Sequence, residues 1–167
     1  MSVAEHRAHA ATRVSCFVLT VSDTRTLATE TSGRAIAGLL EAAGHAVSGR
    51  DLVPDDPDAV TRVVRDAIAR GDARVVITTG GTGIARRDST YEALTALFDK
   101  RLDGFGELFR MLSFQEIGSA AMLSRATAGV AGGCVIFMLP GSEHAVRLAM
   151  EKLIIPELGH LVSELAK

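Results

Sequence analysis

Thr78-Thr79-Gly80-Gly81-Thr82-Gly83-Ile84-Ala85-Arg86-Arg87-Asp88 lies between two segments of different periodicity, and that change decides the fold. Ahead of it, Ala73-Arg74-Val75-Val76-Ile77-Thr78 is short, apolar and β-branched, the composition of a buried strand. Behind it, Ser89-Thr90-Tyr91-Glu92 has capping-box spacing, and Ala93, Leu94, Ala96, Leu97 and Phe98 follow at helical intervals. The glycines therefore occupy a strand-to-helix turn, where backbone N–H groups and a helix N-terminus face an anion. Two readings stand: a tight turn that needs glycine for positive φ, and a phosphate cradle. The loop is not a Walker A motif, because no Gly-Lys-Ser/Thr follows, nor a dinucleotide fingerprint, because Arg86 stands where a third glycine belongs. Arg86 and Arg87 match phosphate geometry, and Asp88 suits a metal, a charge partner or a place just ahead of the helix cap.

Working outward, Val14-Ser15-Cys16-Phe17-Val18-Leu19-Thr20-Val21 is apolar almost throughout, as in a central strand covered on both faces. It ends in Ser22-Asp23-Thr24. Residues 32–43 carry Ile36, Leu39, Leu40 and Ala43 at helical spacing, and residues 46–53 form a weaker, partly alternating strand placed toward a sheet edge. In Pro54-Asp55-Asp56-Pro57, Asp56 suits an N-cap and Pro57 the first helical position of a helix closed by Gly71. That leaves Asp55 without an evident structural task.

Beyond the loop, residues from Asp103 onward form a helix with Phe105, Leu108, Phe109 and Leu112 on one side and Arg110 and Ser113 on others. Residues 124–131 make a thin strand, Gly132-Gly133 a hairpin turn and residues 134–139 its partner, so one antiparallel strand joins a mostly parallel sheet. Pro140-Gly141-Ser142 leaves that strand, with Ser142 capping a helix that Pro156 kinks or restarts. The order predicts a three-layer α/β/α sandwich, Rossmann-like, as one domain over residues 13–167 after a frayed tail over residues 1–12.

At 167 residues, 47% of them hydrophobic, the chain supports one good core. A net charge of −2 supplies no field for nucleic acid, and no apolar run is long enough to span a membrane, so neither is an expected partner. Cys16 and Cys134 sit in apolar runs without metal-ligand spacing and read as reduced core residues, which predicts a cytoplasmic protein. His6 and His9 read as solvated residues of the tail.

Parallel strands present their carboxyl ends on one edge, where ligands bind. Ser22, Asp23, Asp55, the glycine turn with Arg87 and Asp88, and Pro140, Gly141 and Ser142 each follow such an end, so they should meet along one crevice. No Ser/His/Asp arrangement accompanies them, and His144 is the nearest histidine. Amides and arginines for phosphate oxygens, with carboxylates for Mg²⁺, point to a nucleotide or phosphate ester and metal-assisted transfer.

Thr79-Gly80-Gly81-Thr82-Gly83, Arg86-Arg87-Asp88, Gly104-Phe105-Gly106-Glu107, Ser124-Arg125 and Leu139-Pro140-Gly141-Ser142, in that order, resemble the MoaB/Mog family of molybdenum cofactor biosynthesis. The resemblance implies that ATP and molybdopterin react with Mg²⁺ to give adenylylated molybdopterin and pyrophosphate. It implies that Asp55 and Asp88 position Mg²⁺ and the triphosphate, and that Gly80, Gly81, Thr82 and Gly83 hold nucleotide phosphates. Pro140, Gly141 and Ser142 would border the nucleotide, and Ser113, Ser124 and Arg125 would help bind the pterin phosphate. Residues 104–118 read nearest to the B branch of the family, whereas Ala85-Arg86-Arg87-Asp88 resembles members that adenylylate. An active transferase and a non-catalytic pterin- or nucleotide-binding paralogue are therefore both expectations. The family likeness also implies a homotrimer or homohexamer working beside other proteins of the pathway, with the apolar segment around Leu153, Ile154, Ile155 and Leu158 as a candidate interface.

Overall fold

The computed structural model describes residues 2–167. The strand ahead of the glycine loop, β3 (Val75–Thr79), is buried at every position and lies between β1 (Ser15–Val21) and β6 (Cys134–Leu139), both parallel to it. Edge strand β2 (Ala46–Val53) pairs with β1. On the other side come β5 (Thr127–Ala131) and the two-residue β4 (Lys100–Arg101), completing the order β2-β1-β3-β6-β5-β4. β5 runs antiparallel to both neighbours, because Gly132 and Gly133, at φ 55° and 76°, make the tight hairpin predicted for them.

Side chains alternate across the sheet, and both faces are covered. Cys16, Val18, Ile77 and Phe137 point into one cluster with α2 (Ser32–Ala42), α5 (Asp103–Ile117), α6 (Glu143–Ala149) and α7 (Ile155–Leu165). Phe17, Leu19, Val76 and Met138 point into the other, with α3 (Pro57–Arg70) and α4 (Thr90–Thr95). This double coverage is why the central strands carry no polar alternation. The result is the three-layer α/β sandwich with a mostly parallel sheet, and among the described residues no helix is long and apolar enough to cross a membrane.

The helix ends follow local chemistry. Asp56 accepts the Ala59 N–H at 3.0 Å with Pro57 opening α3, and Ser142 accepts the Ala145 N–H at 3.4 Å. Between α6 and α7, Met150–Ile154 widens into a π-turn just ahead of Pro156, whose ring and missing N–H do not fit a regular helix interior.

Three expectations need correction. The capping box at Ser89 does not form: Ser89 makes no side-chain cap bond, and α4 ends at Thr95, short of Leu97 and Phe98. Ile154 and Leu158 are only 1% and 0% exposed, and Leu153 and Ile155 pack against the same core, so that segment covers the sheet rather than offering an interface. The opening dozen residues carry helix α1 (Val3–Ala8), started by a reciprocal Ser2/Glu5 capping box and resting on α7 through an Arg7–Glu157 ion pair. Met1 lies outside the described residues.

Candidate functional site

The carboxyl ends of β2, β1, β3 and β6 are stitched together by backbone bonds. Ser22 N–H donates to Val53 O at 2.9 Å and Gly80 N–H to Leu139 O at 3.0 Å, while Thr79 Oγ–H reaches Pro140 O at 2.8 Å. Gly80 and Gly81 adopt φ 98° and 72°. A Cβ on Gly80 would stand 2.2 Å from Val21 O, and one on Gly81 would stand 2.1 Å from Thr90 Oγ1. Glycine is thus demanded twice over, by conformation and by close packing. The Gly80 amide is spent on the neighbouring strand. Those of Gly81, Thr82 and Gly83 donate to no acceptor among the described residues.

Asp55 has the structural task that its sequence position hides. Its Oδ1 accepts the Ser89 N–H at 3.2 Å, the Ser89 hydroxyl at 2.9 Å and the Thr90 hydroxyl at 3.4 Å, so it, not Ser89, braces the start of α4. Its own N–H donates to Asp23 Oδ1 at 3.1 Å, and Asp23 Oδ2 pairs with Arg87 at 2.9 Å. Asp88 Oδ2 accepts the Ala85 N–H at 3.0 Å, closing the tip of the loop. Among the described residues, Asp55 Oδ2 and Asp88 Oδ1 receive no protein hydrogen bond, and neither carboxylate is in a salt bridge. They flank the same residue, Asp88 by chain and Asp55 by two hydrogen bonds to Ser89.

Arg125 reaches in from the approach to β5. Its guanidinium donates to Thr82 O at 3.2 Å and Gly83 O at 2.5 Å, pairs with Glu92 and lies 4.6 Å over the Tyr91 ring. The Arg125 hydrogen bond holds the Glu92 carboxyl below its ordinary pKa. Arg125 is therefore a clasp on the outside of the loop. An open cavity of about 660 Å³ beside it is lined by Ile84, Arg86, Asp88, Ser89 and Glu92.

The remaining predicted residues divide. Ser22 Oγ accepts the N–H groups of Thr24 and Arg25 and so shapes its own turn. Pro140 O and Gly141 O are both tied down, the latter by the Ser32 hydroxyl at 2.7 Å, and Ser142 caps α6. Ser113, 6% exposed, and Ser124 line a separate, mainly apolar cavity with Pro140, Ser142 and His144, and are not drawn to the glycine loop. His144 itself pairs with Glu116 at 2.5 Å.

Sequence reasoning missed Glu30. It is 2% exposed, accepts the Gly33 N–H at 2.7 Å and the Thr20 hydroxyl at 3.3 Å, and pairs with Arg50. It lines a cavity of about 180 Å³ with Ser22, Arg25, Ser32, Thr79 and Gly141 at the ends of β1 and β3. Its position in the polar stretch before α2 gives no sign of this, because Arg50 lies on β2, beyond the whole of α2.

Comparison with known proteins gives one answer at three levels. Residues 17–160 match the family model MoCF_biosynth, described as "Probable molybdopterin binding domain". The chain is similar to molybdenum cofactor biosynthesis protein B of Bacillus subtilis, 53% identical over 100% of this chain and 99% of that one. The counterpart in Bacillus cereus is 52% identical over 99% and 98%. Among solved structures, a molybdenum cofactor biosynthesis protein B superposes with TM-score 0.90 at 52% identity, covering 92% and 96% of the two chains. The tungsten cofactor synthesizing protein MoaB of Pyrococcus furiosus superposes with TM-score 0.86 at 39% identity, over 95% and 100%.

Proposed function

Because this chain belongs to the molybdopterin-binding domain family of molybdenum cofactor biosynthesis, we propose that it transfers AMP from Mg-ATP to molybdopterin. The observation that carries the reading is the run of uncommitted N–H groups at residues 81–83 between two carboxylates that each keep one oxygen free. Amides alone would accept any phosphate. Carboxylates beside them repel it unless a divalent cation intervenes, so the pair of features suits a metal-bound phosphate, of which Mg-ATP is the case proposed.

A phosphate monoester is already largely ionised at neutral pH, its second pKa lying near 6. The terminal phosphate of molybdopterin therefore attacks the α-phosphorus of ATP without a strong general base. A P–O bond forms to the pterin phosphate, and the bond to the β-phosphate oxygen breaks. Pyrophosphate leaves with the electron pair. The work of the protein is alignment and neutralisation. The Gly81, Thr82 and Gly83 amides hold the nucleotide phosphates, Arg86 and Arg87 supply positive charge at the rim, and Pro140, Gly141 and Ser142 border the nucleoside. Asp55 Oδ2 and Asp88 Oδ1 are hard oxygen donors suited to Mg²⁺, which when bound neutralises charge on the phosphates. Ser124, which also lines a polar cavity with Arg101, Arg110 and Arg125, remains the candidate contact of the pterin phosphate, whereas Ser113 faces the mainly apolar cavity. The bracing of α4 by Asp55 supports a second reading, in which the crevice binds pterin or nucleotide without turnover.

Purified protein incubated with molybdopterin and Mg-ATP should release pyrophosphate and form adenylylated pterin. Asp55→Asn keeps a hydrogen-bond acceptor for Ser89 and so should hold Tm within about 2 °C, since about 1 kcal/mol moves a domain of this size by about 2–4 °C. Transfer should nevertheless fall about 100-fold or more, from the lost charge at a developing pyrophosphate. Saturable pterin binding with no pyrophosphate from the unaltered protein would hand the site to the second reading. Equal losses of Tm and turnover in Asp55→Asn would make Asp55 a brace alone.

A further inference from the structure

We propose a second site, distant from the crevice: a divalent transition-metal site formed by His6, His160 and Glu164 that fastens α1 to α7. The ligating atoms of these three side chains lie within 4.8 Å of one another. His6 Nδ1 is 3.1 Å and His160 Nε2 3.6 Å from the same oxygen, Glu164 Oε1. A tetrahedral ion with bonds of about 2.0–2.2 Å separates its ligands by roughly 3.3–3.5 Å, so both imidazole–carboxylate separations already stand within a few tenths of an ångström of that spacing, and the two imidazoles lie within 4.8 Å of each other.

Three features make this more than a chance cluster. His160 and Glu164 are one helical turn apart, so α7 presents both on one face. His160 Nδ1 lies 3.0 Å from Glu157 Oε2, which fixes the proton on Nδ1 and leaves the Nε2 lone pair turned toward Glu164. An imidazole whose far nitrogen is held by a carboxylate is the usual arrangement of a metal-ligating histidine. The approach of α1 is set by contacts outside the cluster. Gly159, beside His160, has no side chain where a Cβ would stand 2.1 Å from Ala11 O, and Ala11 N–H donates to Ser163 Oγ at 3.2 Å.

A cation already lies at this spot. Lys167 Nζ is 2.5 Å from Glu164 Oε1 and 3.4 Å from His6 Nδ1. Metal binding must displace that ammonium, whose lysine is exposed to solvent. Two imidazoles and one carboxylate favour Zn²⁺, Co²⁺, Ni²⁺ or Cu²⁺ over Mg²⁺ and leave a fourth position for water. With His6 and His160 side chains about a quarter exposed and Glu164 at 44%, that position opens to solvent. Such a clip would join α1 to α7 and stabilise the docked form of α1.

The test is titration of chelator-treated full-length protein with Zn²⁺ by calorimetry, paralleled by Co²⁺ absorption spectroscopy. One Zn²⁺ per chain is expected, with a rise in Tm of several degrees that Mg²⁺ does not reproduce. Co²⁺ should give the intense visible bands of a tetrahedral site, which scattered surface histidines do not. His6→Ala and His160→Ala should each weaken binding about tenfold or more. Lys167→Ala should tighten it by removing the competing ammonium. His6 stands on a short surface helix, so His6→Ala should lower metal-free Tm by no more than about 2 °C, which keeps the comparison of metal-induced shifts interpretable. A binding isotherm unchanged in the His6/His160 double alanine variant, or only weak octahedral Co²⁺ bands, would overturn the proposal.

Discussion

Two regions of the molecule leave different atoms uncovered. Along the carboxyl edge of β2, β1, β3 and β6 the uncommitted atoms are polar: the amides of residues 81–83 and one oxygen each of Asp55 and Asp88. On α5 and the short turn that follows it, Gly118–Leu123, they are carbon: Leu108, Met111, Phe114, Ile117, Met122 and Leu123 are between 48% and 75% exposed. A small charged ligand answers the first region. The second would suit an apolar partner surface, since apolar area of that extent costs free energy in water. The crevice belongs to loops whose backbone is already braced, whereas the apolar face belongs to a regular helix that needs nothing further to fold. The family likeness implied a homo-oligomer, and for such an interface the exposed α5 face offers apolar area that the buried Leu153–Leu158 stretch does not.

The sharpest way to break that contrast is to fill the braced loop. Gly81→Ala places a Cβ against Thr90 Oγ1 at a φ of 72°, and together the left-handed conformation and the overpacking should cost about 2–4 kcal/mol. It should abolish ATP binding, because the clash displaces the loop that carries the free amides. Gly141→Ala is the matched control, since its Cβ would come no nearer than 3.5 Å to Gly80 Cα and should change Tm by no more than about 2 °C. Parallel thermal melts decide the matter: similar losses of Tm in the two variants would mean that the loop is not the stressed element.

A smaller effect on folding, but a larger one on assembly, is expected from Phe114→Glu. Phe114 is 62% exposed on α5, so a carboxylate there meets water in the isolated chain and apolar surface in an assembly. Light scattering should show the native mass falling toward that of one chain, with nucleotide affinity unchanged. An unaltered native mass would remove this face from consideration as the interface.

How much of this could be read in the sequence depended on the range of the interaction. The central strands, the Asp56 and Ser142 caps and the Gly132-Gly133 turn are written in neighbouring residues, where apolar runs, cap spacing and positive φ have local causes. The bracing of the crevice is not. Ser89 looks like a cap because nothing nearby reveals that Asp55, 34 positions earlier, takes both of its donors. Arg125 clasps carbonyls 42 and 43 positions away, and Glu30 meets Arg50 across two elements. Parallel strands make this inevitable, since their loops converge in space only after a helix has carried the chain back between them. The strand ends that bear the crevice loops are legible in local pattern; which of their residues hold each other is a property of the sheet.

His45 supplies the mildest test, at the opposite, amino end of the same sheet. It follows α2, and its Nδ1 accepts the Val14 N–H at 3.1 Å, a bond that only the unprotonated nitrogen makes. Burial lowers its pKa from the ordinary 6.5. The unfolded chain therefore takes up the proton more readily than the folded one, so this contribution is complete above about pH 6.5 and is lost as pH falls from there through the folded-state value. Its size is limited by partial exposure and solvent screening, and a Tm decline of about one or two degrees between about pH 7 and about pH 5.5 is expected from this residue. His45→Asn keeps an acceptor for Val14 without a titrating ring, so the difference between the two melting profiles isolates the effect. Superimposable profiles would show that the Val14 contact is not what opposes protonation. A pH response in the difference that also moved nucleotide affinity would mean that the two ends of the sheet are coupled, against the separation on which the contrast between braced crevice and apolar face relies.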